Sequence, residues 1–246
     1  MHEDTYYYKK KSLLAACLLV ATGLAGCSKN EQLSYFPLTE GSRWVYKLTT
    51  EKDDTIENNE QTISVLRESS FDDKPLFIRR SETPENVGIE YWLRADETGI
   101  KRIAERMDLQ QQAVLDEKPR QVLKFPLQTG TTWTSSTVPY ALMRSNDYPR
   151  ELKYVKSILM NYSVEDMEAK VSVPAGEFSN CALVVGKADL TLYTDPLNGF
   201  QKIPLTTKEW YCPKVGLVKL ERVEQLKSTF YKGGRVEMLL VNYSIK

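Results

Sequence analysis

The sequence predicts a mainly β protein: an antiparallel curved sheet, half-barrel or sandwich, with few short helices. Apolar and polar residues alternate through many short segments. Turn residues recur roughly every ten positions, and stripes of helical period are almost absent, a combination typical of antiparallel all-β folds.

The elements follow in chain order. In "RWVYKLTT", Trp44, Tyr46 and Leu48 fall on one side of a strand, with Lys47 and Thr49 opposite. The polar stretch "KDDTIENNEQ" is turn-rich, and "TISVLRE" resumes the extended pattern, which makes a hairpin. "EYWLRADETGIKRIAER" reads as two strands about a D-E-T-G turn. Ile100, Ile103, Ala104 and Met107 also fit a helical stripe, but Gly99 and the turn signal favour strands. The segment from Gln110 to Gln121 is weakly patterned and admits a short helix. From Tyr162 the alternation is strongest: Met167, Ala169, Val171 and Val173 run up to Pro174, where a ladder loses a donor. Ala175-Gly176-Glu177-Phe178 turns the chain, and Cys181, Leu183 and Val185 share a face of the next strand. A further strand pair forms about Asp195 to Gly199, "GLVKLERVEQL" continues extended, and Gly233-Gly234 reads as the turn of a last hairpin.

One pattern occurs twice. "FPLTEGSRW", Phe36 to Trp44, and "FPLQTGTTW", Phe125 to Trp133, share F-P-L-x-x-G-x-x-W. Proline fixes its own φ and pushes the preceding Phe towards an extended conformation. Glycine opens a backbone region closed to other residues, and tryptophan brings a large apolar surface to the start of a strand. The pattern therefore predicts two matching corners that feed strands into one interior. The competing reading makes Trp44 and Trp133 ligand-stacking platforms. The flanks "WVYKLTT" and "WTSSTVP" do not match, so a full duplication has little support in sequence.

The first thirty residues join a lysine cluster, Lys9 to Lys11, to an apolar run from Leu13 to Ala25 that is too short to span a bilayer. The run ends in Leu24-Ala25-Gly26-Cys27, and this L-A-G-C resembles the lipobox of bacterial lipoproteins. The resemblance implies cleavage before Cys27, diacylglycerol on its thiol, and attachment to a membrane without crossing it, since two acyl chains suffice for lasting anchorage. Ser28 stands where an aspartate would favour inner-membrane retention, so the expected location is the cell envelope, at the outer membrane facing the periplasm. The expected organisation is a signal peptide over 1–26, a lipidated tether over 27–34 and a single β-rich domain over 35–246, with possible sub-halves starting near 36 and 125.

Composition excludes several chemistries. The chain carries 33 basic and 33 acidic side chains, a balance that argues against nucleic acid, whose phosphates select a basic face. Its one histidine is His2, in the signal peptide. Histidine triads, histidine zinc sites and histidine general bases are therefore excluded from the mature chain. No G-x-S-x-G, P-loop, G-x-G-x-x-G or EF-hand spacing occurs. No catalytic residue, cofactor or metal site is expected, and the protein is read as not an enzyme. Cys181 and Cys212 belong to no C-x-x-C pair. In an oxidising compartment they form a disulfide candidate whose loop of about 30 residues would stabilise the fold by roughly 3 to 4 kcal/mol; two separately buried thiols are the alternative.

"YFPLTEGSRWVY", "VSVPAGEFSNC" and "EWYCPKVGLVKLE" resemble recurring blocks of an uncharacterised exported bacterial β-rich family, many of whose members are lipoproteins. The resemblance implies a class of fold and no activity. It adds support for pairing Cys181 with Cys212, each beside one of these blocks.

Two functions are expected. One is a membrane-anchored structural or protein-interaction role, with an envelope protein as partner and the polar segments Lys52 to Gln61 and Ser145 to Glu151 as exposed candidates. The other is a carrier or binding domain for a lipid-like ligand in a half-barrel cavity, with Trp44, Trp92, Trp133 and Trp210 as ligand or core aromatics.

Overall fold

The computed structural model describes residues 29–52, 55–84, 86–140, 143–144, 157–227 and 231–246. Cys27, the signal peptide and the whole segment Ser145 to Glu151 lie outside them. The described chain is one short helix and one large antiparallel sheet. Helix α1 (Lys29–Leu33) is followed by β1 (Arg43–Lys52), β2 (Thr55–Phe71), β3 (Lys74–Thr83), β4 (Asn86–Asp96), β5 (Gly99–Met107), β6 (Val114–Lys124), β7 (Thr132–Thr137), β8 (Met143–Arg144), β9 (Ile158–Val173), β10 (Gly176–Asp195), β11 (Gly199–Cys212), β12 (Gly216–Lys227) and β13 (Tyr231–Ser244). The sheet order is β6-β5-β4-β3-β2-β1-β13-β12-β11-β10-β9-β7, and β8 adds a short pairing to β13. Strands β6 and β7 then meet without a hydrogen-bonded ladder, so the sheet is a nearly closed barrel.

The sheet consists of two six-stranded meanders, β1 to β6 and β7 with β9 to β13, zipped together along β1 and β13. The two F-P-L-x-x-G-x-x-W copies begin them. In the first, the Gly41 N–H donates to the Val65 carbonyl and the Val65 N–H to the Ser42 carbonyl, both at 2.9 Å. In the second, Gly130 donates to Val164 at 2.8 Å and Val164 to Thr131 at 2.9 Å. Both glycines have positive φ, 81° and 86°, where any side chain would be strained. In each copy the Phe, Leu and Trp are buried. The shared pattern thus turns the chain and pins the first strand of each meander to the second.

A second correspondence emerges only in three dimensions. The β4–β5 turn is approached through Trp92 and left through Gly99; the β11–β12 turn is approached through Trp210 and left through Gly216. Each docks on the corner of the other meander. The Phe125 N–H donates to the Thr98 carbonyl at 3.0 Å, while Lys214 donates to Ser34 at 2.8 Å. The Trp44 indole N–H donates to the Val215 carbonyl at 2.7 Å. The halves clasp one another at the end of the barrel that also carries α1. There Leu33 packs on the apolar cluster of the second corner, and the Leu127 N–H donates to the buried Gln32 side chain.

Two expectations about elements need correction. Gln110 to Gln121 holds no helix; from Val114 it is strand β6, paired with β5 across two register shifts. Those irregularities, with Pro119 inside the strand, blur its alternation. Gly233-Gly234 is not a turn but lies within β13, where Gly234 pairs with Glu224. A Cβ on Gly233 would stand 2.0 Å from the Glu224 carbonyl oxygen, so the glycine serves close approach. The D-E-T-G turn falls between β4 and β5, with no helical stripe.

The β9–β10 hairpin contains the longest strand, β10, with 20 residues. Three register shifts between Phe178 and Val184 bend it, and Ala175 at its tip donates to the Leu240 carbonyl at 3.0 Å. Val171 and Val173 join Trp44, Leu240, Cys181 and Cys212 in one apolar cluster. Cys181 and Cys212 form a disulfide across neighbouring strands, 31 residues apart.

Two measurements follow. The double variant Cys181→Ala/Cys212→Ala loses about 3 to 4 kcal/mol of unfolding free energy, read as a lower urea midpoint. Trp44→Phe strands a buried carbonyl while Trp133→Phe does not, since the Trp133 indole N–H is buried without a partner. The first substitution costs about 1 to 2 kcal/mol more than the second; equal losses in parallel urea titrations contradict the clasp.

Candidate functional site

Register decides which side chains point inwards. Cross-strand partners share a face, so Tyr46 carries Gln61 inwards with it, Gln61 bonds Ser81 at 2.7 Å, and Val65 carries Arg79, which carries Tyr91. On the other meander Trp133 carries Tyr162, Tyr162 sits opposite Gly186, and Gly186 opposite Thr207. Glu209 follows on the same face, opposite Leu220.

The interior is divided. Along β9, β10 and β11 it is packed solid by Ile158, Met160, Leu190, Leu192, Ile203 and Leu205. Around Arg79 it is polar and incompletely filled: Gln61, Arg79, Ser81, Tyr91, Tyr162 and Glu209 point inwards and yet are only half-buried. A side chain that faces the axis and still has solvent-accessible surface borders a hollow, here walled by amide, hydroxyl, guanidinium and carboxylate groups.

Four clusters of these groups stand out. The Arg79 guanidinium lies over both the Phe36 and the Trp44 rings, 4.7 Å from each centroid. Burial holds it below its ordinary pKa, and the hydroxyls of Tyr46 and Tyr211 only partly offset this. Tyr211 donates to Glu209 at 2.6 Å. Burial raises the Glu209 carboxyl above its usual range, opposed by the Tyr211 hydrogen bond, the Arg222 charge and Thr207. Arg222 donates to Glu224 at 2.6 Å and to the Val138 carbonyl at 3.1 Å, with its guanidinium 4.3 Å from the Tyr140 ring centroid. Glu224 accepts from the Tyr140 N–H at 2.9 Å. This enclosed pair ties β12 to the chain leaving β7. Finally, Arg102 forks onto Asp116 at 2.6 and 2.8 Å and reaches Glu105 at 2.5 Å beside the Tyr91 ring. Gly186 makes room for the set: a Cβ there would meet Tyr162, Met160 and Thr207 within 2.8 Å.

The four tryptophans separate. Trp44 and Trp133 are buried inside, Trp133 stacked on Tyr162 at 5.3 Å. Trp92 packs with Leu76, Ile78 and Ile103 and lies edge-on to Phe71 at 6.4 Å. Trp210 sits beneath the Lys219 ammonium, 5.2 Å away. No common ring cage forms from them. The charged residues of the interior, namely Arg79 and Glu209 at the hollow and the enclosed Arg222 and Glu224, escape a reading by apolar pattern. Their signal is a charge in the inward phase: in "GLVKLERVEQL", Arg222 and Glu224 continue the phase of Val218 and Leu220.

The rest of the surface offers less. A shallow groove of about 570 Å³ borders Glu51, Glu221, Val223 and Arg235, on the face opposite Arg222 and Glu224. Among the described residues no group of three His, Cys, Asp or Glu converges as a metal site, and no helix is long and apolar enough to cross a membrane.

The raised Glu209 pKa sets a pH dependence. An acid whose folded pKa exceeds its unfolded value, about 4.3, contributes stability below the unfolded pKa and loses it as pH rises through the folded one. Glu209→Gln keeps an acceptor for Tyr211 without the charge. It unfolds with the wild type near pH 4 and at higher urea from pH 7 upwards; equal midpoints across the range contradict a raised pKa.

No protein-family model matches the chain, and no curated protein matches it. Two solved structures are similar over much of its length. A Bacteroides fragilis protein described as exported, with a YmcC-like fold, is 15% identical, with 85% of this chain and 98% of that one covered and a TM-score of 0.41. A Parabacteroides distasonis protein described as a lipoprotein is 14% identical over the same shares, with a TM-score of 0.38. Neither likeness carries a function to this chain.

Proposed function

We propose that the protein is a lipid-anchored envelope lipoprotein with a non-catalytic, protein-interaction role, held by acylated Cys27 at the outer membrane with its barrel in the periplasm. The observation that carries this reading is an exposed apolar tip at the end of the barrel opposite the anchor. Helix α1 starts two residues after Cys27 and is docked on the barrel, so the lipid site stands within about 7 Å of Lys29. The clasped end therefore faces the bilayer. The β10–β11 hairpin runs away from it; β11 has 14 residues, a reach of roughly 45 Å. At the tip Tyr193 and Phe200 meet edge to face at 5.4 Å and are 47% and 75% exposed, on a surface with Leu159 at 71%. Exposed apolar clusters of this kind mark sites of protein association.

Carriage of a lipid-like ligand is the weaker reading. An acyl chain along the axis would pass Arg79, Glu209 and the Arg222–Glu224 pair, and burying ionised groups against hydrocarbon costs several kcal/mol apiece.

Two experiments test the proposal. Cys27→Ser moves the protein from the membrane to the soluble fraction; retention in the membrane refutes the anchor. A photo-crosslinking residue at position 200 gives one discrete adduct in cells, and Tyr193→Asp abolishes it with a change in stability within about 0.5 kcal/mol; no adduct above background refutes the tip as an interface.

A further inference from the structure

We infer that Arg79 is the receptor of a binding site for a small oxyanion, a carboxylate or phosphate, at the base of the polar hollow. Among the described residues no carboxylate pairs with this guanidinium, and its Nε is buried without any hydrogen-bond partner. The three other inward arginines of the site differ: Arg102 forks onto Asp116, Arg222 holds Glu224, and Arg120 lies within the field of Glu209. A half-buried cation whose Nε–H is shut off from water and has no anion is costly, and a planar fork of N–H donors is the group best shaped to take a carboxylate or phosphate bidentately.

The second meander shows that the fold does not need this charge. Val65 in the first corner pairs with Arg79; Val164 in the second corner pairs with Val184. Phe36 and Trp44 flank Arg79, whereas Phe125, Trp133 and Val164 form an apolar cluster with Val184, which is fully buried. The same corner is built once around a valine and once around an arginine. In the first, the guanidinium lies over the rings of Phe36 and Trp44, and its Nε–H is left without a partner. Gln61, Ser81 and Tyr91, half-buried on the adjoining wall, supply neutral donors beside it.

The site is independent of the interaction tip and is tested separately, with the full-length lipoprotein in a neutral detergent. Sodium phosphate, sodium benzoate and benzyl alcohol are titrated at constant ionic strength, read by tryptophan fluorescence, which Trp44 reports from beside Arg79, and by the melting temperature. Saturable binding of benzoate, of phosphate or of both is expected, and the two arms distinguish a carboxylate from a phosphate ligand; benzyl alcohol gives none. Arg79→Val, which copies the second corner, abolishes the response and melts at or above the wild-type temperature. Arg79→Lys keeps the charge but not the fork and weakens binding about tenfold. The inference is overturned if neither anion binds the wild type saturably, if Arg79→Val binds as the wild type does, or if Arg79→Val melts clearly lower, since the arginine would then be a structural clamp.

Discussion

The pair of backbone hydrogen bonds that joins Gly41 and Ser42 to Val65, and its counterpart that joins Gly130 and Thr131 to Val164, is the constraint on which the barrel depends. A strand's side chains alternate with a period of two, so a slip of one residue would turn every inward group outwards. Each corner removes that freedom at the start of its meander by fixing the first strand against the second at a single residue. Everything downstream inherits the choice. Trp44 and Trp133 point inwards, and so, strand by strand, do Arg79, Tyr162 and Glu209. The corners also lie where each half receives the other's β-turn, so the elements that set register also join the meanders. The Trp44 indole, bonded to Val215, belongs to both tasks.

This explains how much could be read from the chain. The strands with clean alternation, such as β1, β9 and β12, are legible because one face is buried and the other wet. The repeated corner is legible because its residues have geometric duties that few others can meet. Strand β6 is not: Pro119 and two register shifts break its phase, and only pairing with β5 makes it extended. Gly233-Gly234 misleads for a related reason, since glycine serves close approach as well as turning. The correspondence of the two halves is nearly invisible in sequence, because what they share is the placing of turns against corners rather than the identity of strand residues. The hollow is equally obscure. A charged residue in an inward phase looks like a flaw in the pattern until its neighbours are known, and Arg79 acquires meaning only beside the valine that takes its place in the other half.

Polar groups inside a barrel are tolerated in proportion to how well they are paired. Arg222 and Glu224 are almost fully enclosed, and their desolvation is offset by a short charge-assisted bond, by the Val138 carbonyl and by the Tyr140 N–H. Removing either partner would leave the other charged and stranded, so the pair holds the chain after β7 at a fixed distance from β12. Glu209 is less well provided for, and its raised pKa reflects that. The packed part of the interior, from Ile158 to Leu205 in its apolar cluster, supplies hydrophobic stabilisation beside the polar, partly empty part, and Tyr162 on β9 and Glu209 on β11 mark the change along the same strands. The disulfide between Cys181 and Cys212 lies in a separate apolar cluster, with Trp44, Leu240 and the Val171 and Val173 end of the bent β9–β10 hairpin.

The two joints between the meanders are unequal, and the inequality follows from local chemistry. Strand β1 offers β13 nine paired positions with one bulge; at the other joint β7 has six residues, and β6 contains a proline that cannot donate. What crosses there is a side chain, the Lys124 ammonium on the Thr132 carbonyl at 2.9 Å. Unpaired strand edges invite association with other chains, and short strands, prolines and lysines are the usual means of discouraging it. All three stand at this joint. A barrel closed by ladders on both sides would be stiffer, with no way for its wall to part except by breaking backbone hydrogen bonds. With one joint zipped and the other merely apposed, parting β6 from β7 would break no strand ladder, whereas parting β1 from β13 would break nine paired positions.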